Sequence, residues 1–306
     1  MLAGLHAAQP PPIMEAEQLP LREYFQHFTT NLVRFRITDS HAQNMDELVV
    51  TSIKSLQPYR NEAVSVALTA LQYLPGDQAY QTLHWFLEQI TPYFCPSPDM
   101  HVLQRTQFDN FKWLAYELLL YFVAGMLSQE DFAGIAYLLG HDYLFAATMD
   151  GMPTRLEPFV ELCQYLYSLD EYYRRPGSVS KSSAGQFVRD HVDRPDILFR
   201  DLMQADLVLY IRSYFEKLRG QRDARWFPAT LLYAVNQGQA LPLFVRAESR
   251  EYLLRVGTAF AATSLEEWHT LVAAANGGQL QVQYGSEGDR APVQYLINAG
   301  RLGQRP

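Results

Sequence analysis

The pairing that phosphodiester cleavage needs occurs early in the chain, in the run Arg36-Ile37-Thr38-Asp39-Ser40-His41. Held together, the Arg36 guanidinium could stabilise a pentavalent phosphorus centre while the His41 imidazole moves a proton. The same run also reads as a solvated loop, because Thr38, Asp39 and Ser40 are residues of a helix end rather than of a helix middle. His141-Asp142 and Asp190-His191 each set a carboxylate beside an imidazole, an arrangement that can orient a general base. Sequence neighbours point different ways on a helix, however, so such doublets are equally at home on a plain surface.

A second constellation lies further on. Arg212, Lys217, Arg219, Arg222 and Arg225 gather within one stretch, interleaved with Tyr214 and Phe215 and followed by Trp226. Basic groups among aromatics suit phosphate contacts and base stacking. Arg212, Tyr214, Arg222, Arg225 and Trp226 are also the residue types enriched at protein-binding hot spots. The plainest alternative is a helix C-terminus whose cations face the negative end of the dipole.

Other chemistries lack their residues. The eight histidines never stand four apart, so no helix offers a zinc-binding face. Cys95 and Cys163 lie far apart, which suits reduced thiols and no disulfide framework. There is no phosphate-binding G-x-x-x-x-G-K-[ST], no G-x-G-x-x-G after a strand, and no G-x-S-x-G elbow. Asp201 and Asp206, five apart, share a helix face poorly. The expectation is no metal and no cofactor.

Composition narrows the partners. The net charge is -8 and the pI about 5.5, which points away from nucleic acid. Hydrophobic residues make up 48% of the chain and charged residues only 19%. A surface so lightly charged leaves apolar area for a protein partner or a second copy to cover. No signal peptide is apparent. The most apolar run, Leu114 to Leu127, is short for a bilayer and contains Glu117, so it reads as a buried helix in a cytoplasmic protein.

The elements that must position these residues are mainly helices. Leu21, Tyr24, Phe25, Phe28, Leu32 and Phe35 recur at helical spacing. Further helices are expected over Asp46–Leu56, Tyr59–Leu74 with Pro58 between them, and Gln78–Ile90. A central helix follows from Thr106, with a Ser128 N-cap behind it. Helix is also expected over Phe132–Gly140, Arg155–Tyr173, Pro195–Arg219, Trp226–Asn236, and Leu241–Gly257. The Ser264-Leu265-Glu266-Glu267 capping box opens Leu265–Ala275. Leu280, Val282 and Tyr284 alternate with glutamines, and Val293–Ile297 could return as a partner strand, giving a small C-terminal β-hairpin. The fold class expected is therefore an irregular multi-helical array, mainly α. It has a flexible leader over 1–20, an N-terminal half over 21–173 and a C-terminal half over 190–306. A ligand pocket could form between the halves.

Two resemblances follow from quoted residues. The Arg36-x4-His41 spacing is similar to that of helical HEPN ribonucleases and implies RNA cleavage by that pair. Leu56-Gln57-Pro58-Tyr59-Arg60-Asn61-Glu62, Phe108-Asp109-Asn110-Phe111-Lys112, Glu117-Leu118-Leu119-Leu120-Tyr121, Asp206-Leu207-Val208-Leu209-Tyr210-Ile211-Arg212 and Trp226-Phe227-Pro228 resemble a helical module of prokaryotic conflict proteins. Such modules accompany effector domains in phage defence, which implies a regulatory or recognition role and transfers no functional residue. The reading that the residues favour is a non-enzymatic interaction or regulatory component. The alternatives are a HEPN-like ribonuclease and a nucleotide sensor.

Overall fold

A helix that is apolar on every side has to be surrounded by protein, and the segment Asp109–Ser128 is. From Asp109 to Leu127 every residue except Lys112 is buried. The computed structural model describes residues 13–38, 42–96, 104–146, 153–174, 182–223, 225–234, 239–284 and 289–306. In chain order the helices are α1 (Ile13–Asn31), α2 (Met45–Tyr73), α3 (Gly76–Ile90), α4 (Asp109–Ser128), α5 (Phe132–Gly140), α6 (Tyr167–Tyr173) and α7 (Ser183–Asp190). They continue as α8 (Phe199–Leu218), α9 (Pro242–Arg246), α10 (Arg250–Phe260), α11 (Leu265–Asn276) and α12 (Val293–Leu296). Two antiparallel strand pairs complete it: β1 (Tyr143–Phe145) with β2 (Arg155–Glu157), and β3 (Gln283–Tyr284) with β4 (Asp289–Arg290). The protein is mainly α with a small C-terminal hairpin, as the periodicity implies.

Helix α4 is the axle. It packs along α2 on one side and α8 on another, with α3 and α5 closing the remainder. Around this centre α1 lies on α3, α6 on α2, and α10 on α5. Apolar residues from Leu21 to Leu302 form one buried cluster, so segments on both sides of the 174–190 boundary feed a common core. The stretch Thr106–Ser128 is long and apolar enough to cross a membrane, but 89% of its most apolar window is buried within the fold.

Several expectations change. Pro58 does not separate two helices; α2 runs through it for 29 residues. A proline inside a helix removes one hydrogen bond and costs about 3 kcal/mol. Here Pro58 and Lys54, whose carbonyl it frees, both face solvent, so water can meet the orphaned oxygen. The buried stripe Val49, Ile53, Leu56, Arg60, Ala63 and Ala67 keeps the helix docked. Helix α1 begins at Ile13 rather than near Leu21, with Pro20 inside it; residues 1–12 of the proposed leader lie outside the described ones.

The expected helix over Arg155–Tyr173 is instead β2, a 3-10 turn at Phe159–Leu162 and α6. Pro158 breaks it, and Tyr143-Leu144-Phe145 offers a strand for Arg155–Glu157 to pair with. The N-cap of α5 is Asp131, accepting from the Gly134 N–H at 3.0 Å, and not Ser128, which ends α4. Helix α8 starts at Phe199, four residues past Pro195, with the Asp201 carboxylate accepting from the Leu198 N–H. Among the described residues of the Trp226–Asn236 segment, which end at Ala234, Pro228 leaves a 3-10 turn at Leu231–Ala234, and the Leu241–Gly257 segment divides into α9 and α10 at the Ser249 cap. The segment between the two expected halves contains α7, whose Gly185 lies against the backbone of Ala229. A Cβ there would come within 2.1 Å of the Ala229 oxygen. Val293 to Leu296 is helical, and Asp289–Arg290 provides the return strand. The capping box at Ser264 and Glu267 forms as expected, and Gly278, with φ +78, ends the helix behind it.

Candidate functional site

The basic-aromatic stretch does not assemble as an exposed patch. Trp226 and Tyr214 are buried, as is Arg212. The Trp226 Nε1–H donates to Asp206 at 2.6 Å. The Arg212 Nε–H donates to Glu216 at 2.8 Å. Arg222 pairs with Asp142 at 2.5 Å and lies 3.6 Å from the other Glu216 oxygen. Arg219 pairs with Glu267, and exposed Arg225 lies over the Tyr214 ring at 4.9 Å. Nearly every cation of the stretch is held by a carboxylate or a ring, which makes it a brace between α8, α11 and the segment after α5.

The imidazole-carboxylate doublets separate as well. Asp142 goes to Arg222, while the His141 ring meets the Tyr137 carbonyl at 2.8 Å and stacks on Tyr137. Asp190 accepts from Gln186, and the His191 ring meets the Phe187 carbonyl. Arg36 lies over the Tyr93 ring at 5.0 Å; its proposed partner His41 lies outside the described residues. Among the described residues no three His, Cys, Asp or Glu side chains gather as a metal site.

What the fold does bring together are two buried polar nodes. The first joins α2, α4 and the segment after α7. Arg60 is 0% exposed and lies over the Tyr121 ring at 4.6 Å. It donates to Glu117 at 2.8 Å, Asp193 at 2.7 Å, Asn61 at 3.0 Å and the His191 carbonyl at 3.5 Å. Burial pushes the Glu117 carboxyl up, and the neighbouring guanidinium pulls it back. The second node is Asp206, also 0% exposed. It accepts from Trp226 Nε1–H, the Thr230 N–H at 2.8 Å and the Thr230 hydroxyl at 2.6 Å. Desolvation raises its pKa to about 6, against those three hydrogen bonds. Beside it, burial pushes the Cys163 thiol up, the opposite of an activated nucleophile. Neither node is evident from residue spacing, since each joins residues far apart in the chain. The available signal was a lone charged residue inside an apolar helical run, as in Glu117 within Leu114–Leu127 and Asp206 ahead of Leu207–Ile211.

On the surface two features stand out. The β1–β2 hairpin turns Leu144, 45% exposed, and Leu156, 64% exposed, outward side by side. The Leu144 N–H donates to Glu88 and its carbonyl accepts from Thr91, so the Leu144 backbone points away from β2. In an antiparallel pair the opposite residue must then point its own backbone away as well. Leu156 therefore presents its N–H and C=O at the outer edge of β2, flanked by the Arg155–Glu157 pair at 2.5 Å.

The other feature is a cavity of about 170 Å³ between α1 and the Tyr59–Glu62 turn of α2. Phe28 and Leu32 are its most buried walls, with Phe35 and Tyr59 alongside. Tyr24, His27, Asn31, Tyr59 and Glu62 are the lining residues with polar side-chain atoms. It lies within the N-terminal half, not between halves, and a carboxylate is the wrong charge for a nucleotide's phosphates. Comparison with known proteins returned no match: no family model, no curated protein and no solved structure matches the chain.

Proposed function

We propose that this chain is a non-enzymatic protein-interaction component that acts as a dimer, with a second copy docked on the outer edge of β2. The observation that carries this reading is the outer edge of β2 at Leu156, which no strand covers among the described residues. An exposed apolar strand edge is a template for another strand. Antiparallel self-pairing centred on Leu156 exchanges two N–H···O bonds between the two copies of that residue. It also sets Arg155 opposite the Glu157 of the second copy, and Glu157 opposite its Arg155, so the edge is complementary to itself. The outward face then carries a continuous Leu144–Leu156 stripe across both copies. The low charge content of the chain supports the same reading. The likeness of its helical stretches to modules of prokaryotic conflict proteins supports a regulatory setting for it.

Sedimentation of the full chain over roughly 1 to 100 µM tests this, a range suited to a small interface. A concentration-dependent dimer is expected. Leu156→Lys, which introduces an edge lysine at an already exposed position, weakens it and leaves the monomer's melting temperature unchanged. Arg155→Glu also weakens it, and Arg155→Glu with Glu157→Arg restores it. A monomer at every concentration, or a dimer indifferent to these changes, overturns the reading.

A further inference from the structure

We infer that the cavity between α1 and α2 is a binding site for a small organic cation of the trimethylammonium class. The inference is independent of the dimer reading. Its first support is the wall chemistry. Aromatic faces attract cations through the negative face of the ring, and Tyr24, Phe28, Phe35 and Tyr59 all line this space. Phe35 and Tyr59 meet edge to face, with ring centroids 5.2 Å apart, so the two rings stand at an angle and form a corner rather than a flat wall.

The second support is charge. Among the described residues, Glu62 is the one carboxylate in the lining, and no Lys or Arg shares the cavity. The helix spacing sets it there, since Glu62 follows Tyr59 by one turn of α2 and shares its face. The third is an unanswered polar atom. The Tyr24 hydroxyl is shielded from solvent and closes no hydrogen bond. Glu62 lies near enough to push the Tyr24 phenol up, behind the larger effect of burial.

Elsewhere in this half the chain answers its aromatic faces with its own cations. Arg22 lies over Trp85, Arg36 over Tyr93, Lys54 over Tyr172 and Arg60 over Tyr121. Among the described residues, no internal cation is placed over Tyr24, Phe35 or Tyr59, or paired with Glu62. A ligand cation would supply the same contact. The half-open shape, with Tyr59 41% exposed, admits a compact head group carrying a tail into solvent.

Choline and tetramethylammonium are the probes, followed by titration calorimetry and ligand-observed NMR on the full chain. Saturable binding with a dissociation constant on the order of 1 mM is expected. The neutral tert-butyl isostere of choline, equal in shape but without charge, binds at least about tenfold more weakly if the carboxylate and rings act as argued. Glu62→Gln and Tyr59→Ala each weaken choline by about tenfold. Both positions are exposed, so melting temperatures stay within a degree or two of wild type, about what surface substitutions allow. Absence of saturable choline and tetramethylammonium binding up to about 50 mM overturns the inference, since that excludes even millimolar affinity. Equal binding of choline and its neutral isostere also overturns it, because the cavity is then only an apolar cleft.

Discussion

Arg60 and Asp206 are both fully buried, and both are hydrogen-bonded, but they are stabilised in different ways. Arg60 is neutralised by opposite charge, with Glu117 and Asp193 each within 2.8 Å. Asp206 meets only neutral donors, two of them from Thr230 and one from Trp226. A buried charge needs one or the other, because desolvation alone costs several kcal/mol. The counter-charge solution ties three chain segments together and makes each partner dependent on the others. The dipole solution keeps one carboxylate in place and leaves its protonation open. Both nodes sit where α4 and α8 meet their neighbours, so they help to specify the register of those elements.

The largest test of this contrast is to remove one partner from the ion node. Glu117→Leu leaves Arg60 buried with only the half-exposed Asp193 as counter-ion, and about 3 to 5 kcal/mol of unfolding free energy should be lost. Urea denaturation of the purified chain measures this. Arg60→Leu with Glu117→Leu should lose less than Glu117→Leu alone, because no unpaired buried charge remains and the half-exposed Asp193 is solvated. A double variant worse than the single would mean that the node contributes as an ion pair in its own right.

At the Asp206 node the expected effect is slightly smaller and depends on pH. Asp206→Ala strands the Trp226 and Thr230 donors at a cost of about 3 kcal/mol. The pH dependence has a definite sign. With a folded pKa raised from 3.8 to about 6, the folded state holds a proton that the unfolded chain has already released between those values. Stability from this group is therefore complete below pH 3.8 and is lost as the pH rises through 6, by an amount on the order of 3 kcal/mol. Asp206→Asn should flatten that part of the profile. A wild-type curve that rises between pH 4 and 6 relative to Asp206→Asn would show that the three hydrogen bonds outweigh desolvation.

The helices were legible because their faces repeat. The Leu21–Phe35 stripe, the all-round apolar α4 and the Ser264 capping box each follow from local spacing, and the alternation of Leu280, Val282 and Tyr284 marked the C-terminal hairpin. What local spacing misses is set by distant partners. Pro58 reads as a stop until the packing of α2 against α4 is known. The Arg155–Glu157 strand exists because Tyr143–Phe145 lies beside it. The basic stretch ending at Trp226 looked like a surface because Arg and Trp suit one; Asp206, Glu216 and Asp142 draw its members inward. Glu117 and Arg60 stand 57 positions apart, and nothing in their spacing links them. The cavity combines Tyr24 on α1 with Tyr59 and Glu62 on α2, which is likewise a product of helix packing.

The smallest effect sharpens the comparison by reversing its sign. His84 is stacked on Tyr143, with ring centroids 4.2 Å apart, and Glu88 at 3.9 Å is too distant to compensate its burial. Desolvation, reinforced by His141, lowers its pKa from 6.5 to about 4, so the folded state keeps it neutral where the unfolded chain is protonated. Stability from His84 is thus complete above pH 6.5 and is lost as the pH falls toward 4. At pH 5.5 the loss is about 1 kcal/mol, one unit below the unfolded value. His84→Phe preserves the ring stack and should remove this loss, so that the variant gains on wild type as the pH is lowered from 7 to 5.5. Thermal melts at the two pH values measure it. A carboxylate without a counter-cation and an imidazole without an adequate counter-anion then tilt the stability profile in opposite directions. If both variants shifted the profile the same way, burial would not be the common cause.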